Sequence, residues 1–587
     1  MQIHFRREGY RPGTNGASGG SVGVVSVPRA ILERHGALVL RPGEAVTLPG
    51  SRIRSTVYRW GYLIVPNDVL QNADDVALLN RALGPTGLEL VPPGPIPGAG
   101  GELERYLPYM QQVPRAAEIR AREGSRQPVV VDAWTALLTL RATAARHGGG
   151  QTRGTDREQT RGTDRETDNE TAKETDKEAE IKSEADLARL RAIVSRMSVD
   201  HLLMGSALMG AGPATEGSPD TADPTRATFV RPEYGRMPVD VVVAMPRRRR
   251  RDELGSRRPV VAVLDTGVAP NPYLPVGDPP GAWYPDGFVT VDTPLQGVIR
   301  ADLESKDATS ATPIEVIEDE WERPVSGGRL IDDLNSHVGH GTFIAGIIRQ
   351  LAPDAQVRAI RVMYGDGIVS ESSLVLALTY LAARIRHAQG RAAAGQPVDP
   401  ADLVDIVNLS LGGFFETPLE EEQDSPLLDA VNALADLGVI VVAAAGNDST
   451  TRRFYPAALA GRPPRAGSVP VVSVSALNPN GTKAAFADDG DWVNCWASGA
   501  AIVSTMPTWL RGDRTPDLHA GNRETLDIDD YSAGFGIWSG TSFAAPLVAA
   551  TLAGQLLAQS TGDLTLDKTT TEARLRRADA ALGKLPR

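Results

Sequence analysis

The sequence predicts an α/β protein: a mainly parallel sheet with helices on both faces, preceded by a smaller α+β N-terminal region. Two observations carry this. From Pro259 onward, near-continuous apolar runs of strand length alternate with helical patterns, as in parallel sheets buried on both faces. Ahead of that, the chain is interrupted from Gly148 by a tract with almost nothing to bury. At 587 residues it also exceeds what one core organises, so at least two domains are expected.

In order, residues 1–147 read as an α+β module. Ser21 to Val27 and Val57 to Val65 are strand-like, and Val129 to Ala145 is helix-like. Glycine and proline crowd Leu90 to Gly101, marking a loop within the module. Residues 148–184 are low complexity: Gln-Thr-Arg-Gly-Thr-Asp-Arg-Glu occurs at 151–158 and again at 159–166. Without apolar side chains to offset the entropy of ordering, this tract reads as a disordered linker, a charged single helix from Glu170 being the alternative.

Residues 185–256 read as a connector or prosegment-like region. Leu187, Leu190, Ile193 and Val194 recur at helical spacing, and Val239 to Ala244 is strand-like. Five arginines, Arg247 to Arg251, then read as a solvated linker or as a protease-accessible boundary. Residues 257–587 form the α/β domain. Its strands are expected at Val260–Leu264, Val357–Val362, Ile406–Leu411, Val439–Ala445 and Val469–Val474, and its helices at His340–Leu351, Ser372–His387 and Pro426–Leu437.

The formal net charge of −12 argues against broad affinity for nucleic acid or an anionic membrane. The lone Cys495 excludes an intramolecular disulfide and thiol-rich metal sites, and reads as a packed apolar residue. The N-terminus lacks the apolar core of a secretory signal, and no uninterrupted apolar run reaches membrane-spanning length, so a cytoplasmic protein is expected.

Three short stretches carry chemistry. Asp265 follows the strand Val260–Leu264, which puts it at the carboxyl end of a central strand, where open α/β sheets place their sites. His340 lies between two glycines at the start of a small-residue apolar helix, held from behind and open in front, as a general base needs. His337, lacking those glycines, reads as part of the approach loop. Ser542 follows Gly540-Thr541 and opens another helix, whose N-terminus favours developing negative charge. A fourth segment, Ala443 to Asn447, ends a strand in small residues and an amide. Asn447 reads either as an oxyanion donor or as a capping residue.

These motifs, with Asn-Leu-Ser-Leu-Gly-Gly at 408–413, resemble those of the subtilases, the subtilisin-like serine peptidases. The resemblance covers roughly Pro259 to Leu557. It implies a serine endopeptidase with Asp265 as orienting acid, His340 as base, Ser542 as nucleophile and Asn447 as side-chain oxyanion donor. It also implies that Ser410, Leu411 and Gly412 form one wall of the primary pocket and Ala444, Ala445 and Gly446 another. An edge strand near Gly365 to Ile368 would pair with an extended peptide or protein substrate.

No cofactor is required by the resemblance. Many subtilases carry structural calcium, but no oxygen-ligand loop here is specific enough to assign one. Phe343, Ser498, Phe543 and Leu547 depart from the commonest subtilase pattern without removing a catalytic group. The Asp-to-His interval, 340 − 265 = 75 residues, is long, and an acidic insertion around Asp302 to Trp321 is expected at the rim as a solvated loop or specificity element.

The alternatives are a narrowly specific processing peptidase for one partner peptide and a non-catalytic peptide-binding module. Residues 1–245, outside the resemblance, could be autoinhibitory, partner-binding or structural. A self-processing prosegment would leave a new N-terminus between about Met237 and Pro259.

Overall fold

A computed structural model describes residues 2–5, 25, 27–48, 53–94, 104–124, 128–146, 183–207, 236–240, 244–275, 287–309, 314–323, 335–417, 425–512, 516 and 518–585. The expected strand at Ser21–Val27 lies almost wholly outside them, as does the low-complexity tract. The first elements in chain order are β1 (Ile3–Phe5), α1 (Arg29–Arg34), β2 (Ala37–Leu40), β3 (Thr56–Val65), α2 (Asn67–Leu70), α3 (Ala73–Leu83) and β4 (Leu88–Val91). Then come α4 (Leu107–Met110), β5 (Arg115–Ala121), α5 (Ala133–Ala144), α6 (Glu184–Val194), β6 (Ser198–Gly205) and β7 (Met237–Pro238).

The C-terminal part contributes β8 (Val260–Asp265), β9 (Val289–Val291), α7 (Thr293–Thr309), α8 (His340–Leu351), β10 (Gln356–Arg361), β11 (Ile368–Ser370), α9 (Glu371–Ala393), β12 (Ile406–Leu409) and β13 (Leu411–Gly412). It continues with α10 (Pro426–Ala435), β14 (Ile440–Ala444), β15 (Val472–Leu477), β16 (Cys495–Ser498), β17 (Ile502–Thr505), α11 (Thr541–Ala558) and α12 (Thr571–Leu582).

The main sheet runs β1-β16-β15-β14-β12-β8-β10-β9. Its β8 to β16 ladders are all parallel, and only β1 joins antiparallel, against β16. That terminal strand covers a sheet edge that would otherwise expose unpaired backbone groups.

Side chains alternate faces along a strand, and β8 feeds two cores in this way. Val260, Ala262 and Leu264 pack with Leu374 and Leu378 of α9 and Leu434 of α10. Val261 and Val263 pack with Ile344 and Ile347 of α8 and Val548 and Leu552 of α11. At the foot of β8, Arg257 forks onto Asp405 at 2.6 and 2.7 Å, and the same carboxylate accepts from the Val260 N–H at 2.9 Å. A bidentate, fully satisfied pair of this kind sets register as well as charge balance.

The N-terminal sheet is antiparallel, in the order β4-β5-β3-β6-β11, with β2 beside β3 and β13 beside β6. Its own core, around Leu63, Leu79, Leu137 and Leu190, lies under α3, α5 and α6. Thus β6, expected in a connector, joins the sheet begun by β2 and β3, and α6 packs into the core over it. Through β6 this sheet merges with β11 and β13 of the C-terminal domain.

Two other sequence expectations differ in the fold. Asp302 is buried, not at a solvated rim. It pairs with Lys306 at 2.6 Å and with Arg115 of the N-terminal sheet at 3.3 Å. The helix carrying it, α7, therefore braces one domain against the other. In the arginine run, Arg247 and Arg250 are largely exposed, but Arg248 is docked onto the carbonyls of Gly287, Pro353 and Ala355. Backbone acceptors left free at the ends of nearby elements give the guanidinium a better partner than water alone.

Candidate active site

After β8 the chain runs to β9 and β10 on one side and then crosses back to β12 on the other, so the strand order reverses at β8. The crevice at the carboxyl ends of such strands is where an open sheet leaves room for a site. Asp265 closes β8, and His340 begins α8, whose first turn lies tight against the β8 end. A Cβ on Gly341 would run into the Gly267 carbonyl oxygen, so only glycine permits that approach.

His340 Nδ1 lies 2.7 Å from Asp265 Oδ1, and both side chains are buried. That bond selects the tautomer with its proton on Nδ1 and leaves Nε2 as an acceptor. Among the described residues, Nε2 has no hydrogen-bond partner. The imidazole is walled by Trp538 and Phe543, with ring centroids 5.7 and 5.4 Å away. Phe543 in turn packs on Phe343 at 4.6 Å. Two of the positions that depart from the usual subtilase pattern thus form an apolar backing behind the histidine.

Ser542 lies in the first turn of α11, fully buried. Its Oγ donates to the Ser410 carbonyl at 2.9 Å, and Ser410 Oγ donates back to the Ser542 carbonyl at 2.7 Å. Asn447 is held from the same helix: its Oδ1 accepts from Thr541 N–H and Thr541 Oγ1, both at 3.0 Å. With the oxygen so engaged, the amide nitrogen must point the other way. Thr541 Oγ1 also accepts from the Gly446 N–H at 3.1 Å, tying the Ala444–Gly446 segment to the same corner.

What Asn447 Nδ2 meets is the carbonyl oxygen of Ser206, at 2.6 Å, and the same oxygen accepts from the Ser542 N–H at 3.0 Å. Two donors from different elements converge on one carbonyl, the arrangement that stabilises an oxyanion. Gly540 lies directly beneath this peptide, and a Cβ there would fall 2.9 Å from Ala207 Cα.

β6, which delivers Ser206, is sandwiched antiparallel between β11 and β13, with Ile368 opposite Met204 and Gly412 opposite Met204 from the other side. The Gly205 N–H donates to the Gly367 carbonyl at 2.8 Å and the Ser206 N–H to the Ser410 carbonyl at 3.0 Å. Ser410, Leu411 and Gly412 therefore serve as a main-chain rail for a strand of this chain. From the sequence, a processing point is expected between about Met237 and Pro259. The peptide bond at the converging donors is Ser206–Ala207, while Met237 and Pro238 pair with Ile537 and Gly536.

Two further residues belong to the site. His337 Nε2 lies 3.2 Å from the Gly205 carbonyl, and its ring sits 5.4 Å from that of His340. Burial first, then the neighbouring His340, push its pKa down to about 4, so it faces the strand as a neutral ring. Glu322 is buried and accepts from the Gly339 N–H at 2.8 Å and from Thr342 Oγ1 at 3.2 Å, gripping the turn that presents His340. Burial pushes its carboxyl up to about 7. No spacing or motif distinguishes Ser206 or Glu322 in the sequence. His337 was visible, but its contact with Gly205 was not.

Among the described residues, no group of three or more His, Cys, Asp or Glu side chains is arranged to hold a metal ion. Cys495 is buried on β16, and burial pushes its thiol up. The helix carrying Ser542, Thr541–Ala558, is long and apolar enough to cross a membrane by length and composition, but it is mostly buried within the fold.

The Subtilase family profile matches residues 256–578, more than half of the chain. The chain belongs to the subtilase family. Over 177 residues it is 33% identical to the minor extracellular protease Epr of Bacillus subtilis (strain 168), a stretch covering 28% of this chain and 22% of that protein. It is 30% identical over 180 residues to subtilisin-like protease 4 of Trichophyton equinum, covering 30% of this chain and 39% of that one. The chain thus spans well under half the length of these curated relatives. Among solved subtilase structures, a cold adapted subtilisin-like serine proteinase matches at 20% identity with a TM-score of 0.30, covering 54% of this chain and 79% of that one.

Proposed function

We propose that this subtilase is a serine endopeptidase whose cleft is filled by its own strand β6. One observation carries the reading: the Ser206 carbonyl accepts from both Ser542 N–H and Asn447 Nδ2, beside an Asp265–His340 pair with a free Nε2. Attack begins when Ser542 Oγ turns from the Ser410 carbonyl toward His340 Nε2, the side-chain bond that often forms only as the reaction proceeds.

His340 then takes the Ser542 proton as Oγ adds to the peptide carbonyl, and Asp265 stabilises the imidazolium. The new oxyanion stays between Asn447 Nδ2 and Ser542 N–H. His340 gives its proton to the departing amine, and water, activated by the same imidazole, hydrolyses the acyl-enzyme. The N-terminal sheet acts as an inhibitor in this scheme, since the cleft cannot admit a second peptide while β6 lies on its rails.

A fluorophosphonate, which modifies only an activated serine, tests the reading. Ser542 is expected to be the labelled residue, and labelling should disappear in Ser542→Ala and in His340→Ala. Labelling that persists at the wild-type rate in purified Ser542→Ala protein overturns the assignment.

A further inference from the structure

The strand in the cleft carries a cation into a buried place. His201 lies on β6, five residues before Ser206 (206 − 201 = 5), and is buried. Its Nδ1 is 2.5 Å from Glu371 Oε2 and its Nε2 is 2.7 Å from Glu416 Oε2. Both carboxylates belong to the C-terminal domain and extend the two rails: Glu371 directly follows β11, and Glu416 lies just beyond β13. A neutral imidazole has a single N–H and could donate to only one of them, whereas both nitrogens face carboxylate oxygens.

The site is shaped as well as charged. The His201 ring stacks on Phe415, with centroids 4.1 Å apart and planes 6° from parallel. Among the described residues, buried Glu371 Oε1 has no hydrogen-bond partner, leaving acceptor capacity for a cation with more donors than imidazole. Burial opposes charge on His201, but Glu416 and then Glu371 outweigh it and hold its pKa up to about 10. Burial raises the Glu371 carboxyl, while at Glu416 His201 outweighs burial and holds the carboxyl low, so Glu416 is the principal counter-ion. Arg141 also acts on Glu416 from the N-terminal domain, and Asp200 on Glu371. From Leu202 to Ser206 the strand carries no charge.

Two carboxylates buried side by side with nothing between them would repel each other and keep the cost of leaving water. They are arranged for an occupant. We infer that Glu371 and Glu416 form a subsite for a cationic side chain placed five residues N-terminal to the residue whose carbonyl faces Ser542. The Phe415 face and the paired acceptors favour a planar cation, histidine or arginine, over lysine. The inference rests on the peptidase reading above and names the class of peptide that this cleft prefers.

Competition against fluorophosphonate labelling of the full-length chain tests it, because probe and peptide alike reach the buried Ser542 only when β6 lifts from its rails, and so compete for the same open state. The competitors are Val-Asp-His-Leu-Leu-Met-Gly-Ser-Ala, the sequence of 199–207, and two analogues with arginine or leucine in place of the histidine. The histidine and arginine peptides should protect Ser542 at concentrations about tenfold or more below the leucine peptide, as expected for a buried charge pair with its partner restored. Combining Glu371→Gln with Glu416→Gln should reduce that difference to about twofold. In the chain itself, His201→Leu should speed labelling about tenfold by loosening β6, and His201→Arg should leave it near wild type.

Equal protection by the three peptides, including none by any, overturns the subsite, as does a difference unchanged in the double variant. The peptide comparison uses the wild-type chain, so it decides even where a variant fails to fold. Absence of labelling in every variant would instead strike the peptidase reading.

Discussion

The Ser206 carbonyl oxygen accepts a hydrogen bond from the backbone N–H of Ser542 at 3.0 Å, and in the proposed peptidase this chain's own peptide bond thus takes the place of a substrate's. Incubation of the wild-type protein is expected to produce a new N-terminus at Ala207, read by N-terminal sequencing, and Ser542→Ala should remain full length. Asn447→Ala, which removes the second donor, should slow the cleavage on the order of 10²–10³-fold. A new N-terminus confined to Met237–Pro259 would contradict the geometry.

Gly205 faces His337 closely enough that a Cβ would fall 2.7 Å from the ring's Cδ2. Gly205→Ala should therefore weaken the seating of β6 by about 1–3 kcal/mol, the usual cost of overpacking. The readout is faster fluorophosphonate labelling of Ser542. His337→Ala, which opens the space, should restore slow labelling in the double variant.

Glu322 ties a pH dependence to the His340 turn. Its carboxyl is raised by burial from its ordinary value to about 7, so the folded state binds this proton more tightly than the unfolded chain does. The associated stability is complete below about pH 4 and declines as pH rises toward 7. Urea unfolding of Ser542→Ala protein at pH 5 and pH 8 should show this decline. Glu322→Gln, neutral throughout, should flatten it by up to about 3 kcal/mol.

Asp405 shows the opposite sign. Burial works against its charge, but Arg257 outweighs burial and holds the carboxyl well below the usual carboxylate range. Its contribution is present above about pH 4 and is lost as pH falls through the lower folded value. Asp405→Ala strands the buried Arg257 and should cost about 3–5 kcal/mol in urea unfolding at pH 7, without moving any group of the site.

Trypsin accessibility tests the docking of Arg248 within the arginine run. Arg248, docked on three carbonyls, should resist cleavage, whereas Arg247 and Arg250, with side chains 75% exposed, are open to it. Mass mapping of a brief digest reads the difference. Arg248→Ala should increase cleavage across the run.

The α/β architecture was legible in the sequence because the parallel strands are buried on both faces, so apolar runs such as Val260–Leu264 and Ile440–Ala444 stand out without knowledge of their neighbours. The helix starting at His340 was legible for the same reason, its small and apolar residues having no other use. Asp265, His340, Ser542 and Asn447 could be named because their motifs, taken together and in order, resemble those of the subtilases; none was decisive alone. The sequence alone thus determined the scaffold of the C-terminal domain and the four side chains that meet at its crevice.

Tertiary structure decided what fills that crevice. β6 is an unremarkable apolar strand in sequence, and its place between β11 and β13 depends on backbone hydrogen bonds, which any extended segment can make. Only the three-dimensional pairing singles out Ser206 from other serines, sets His201 between Glu371 and Glu416, and brings Glu322 beneath a histidine 18 residues away (340 − 322 = 18). Long-range pairing and burial are properties of the folded chain, so no local pattern announces them.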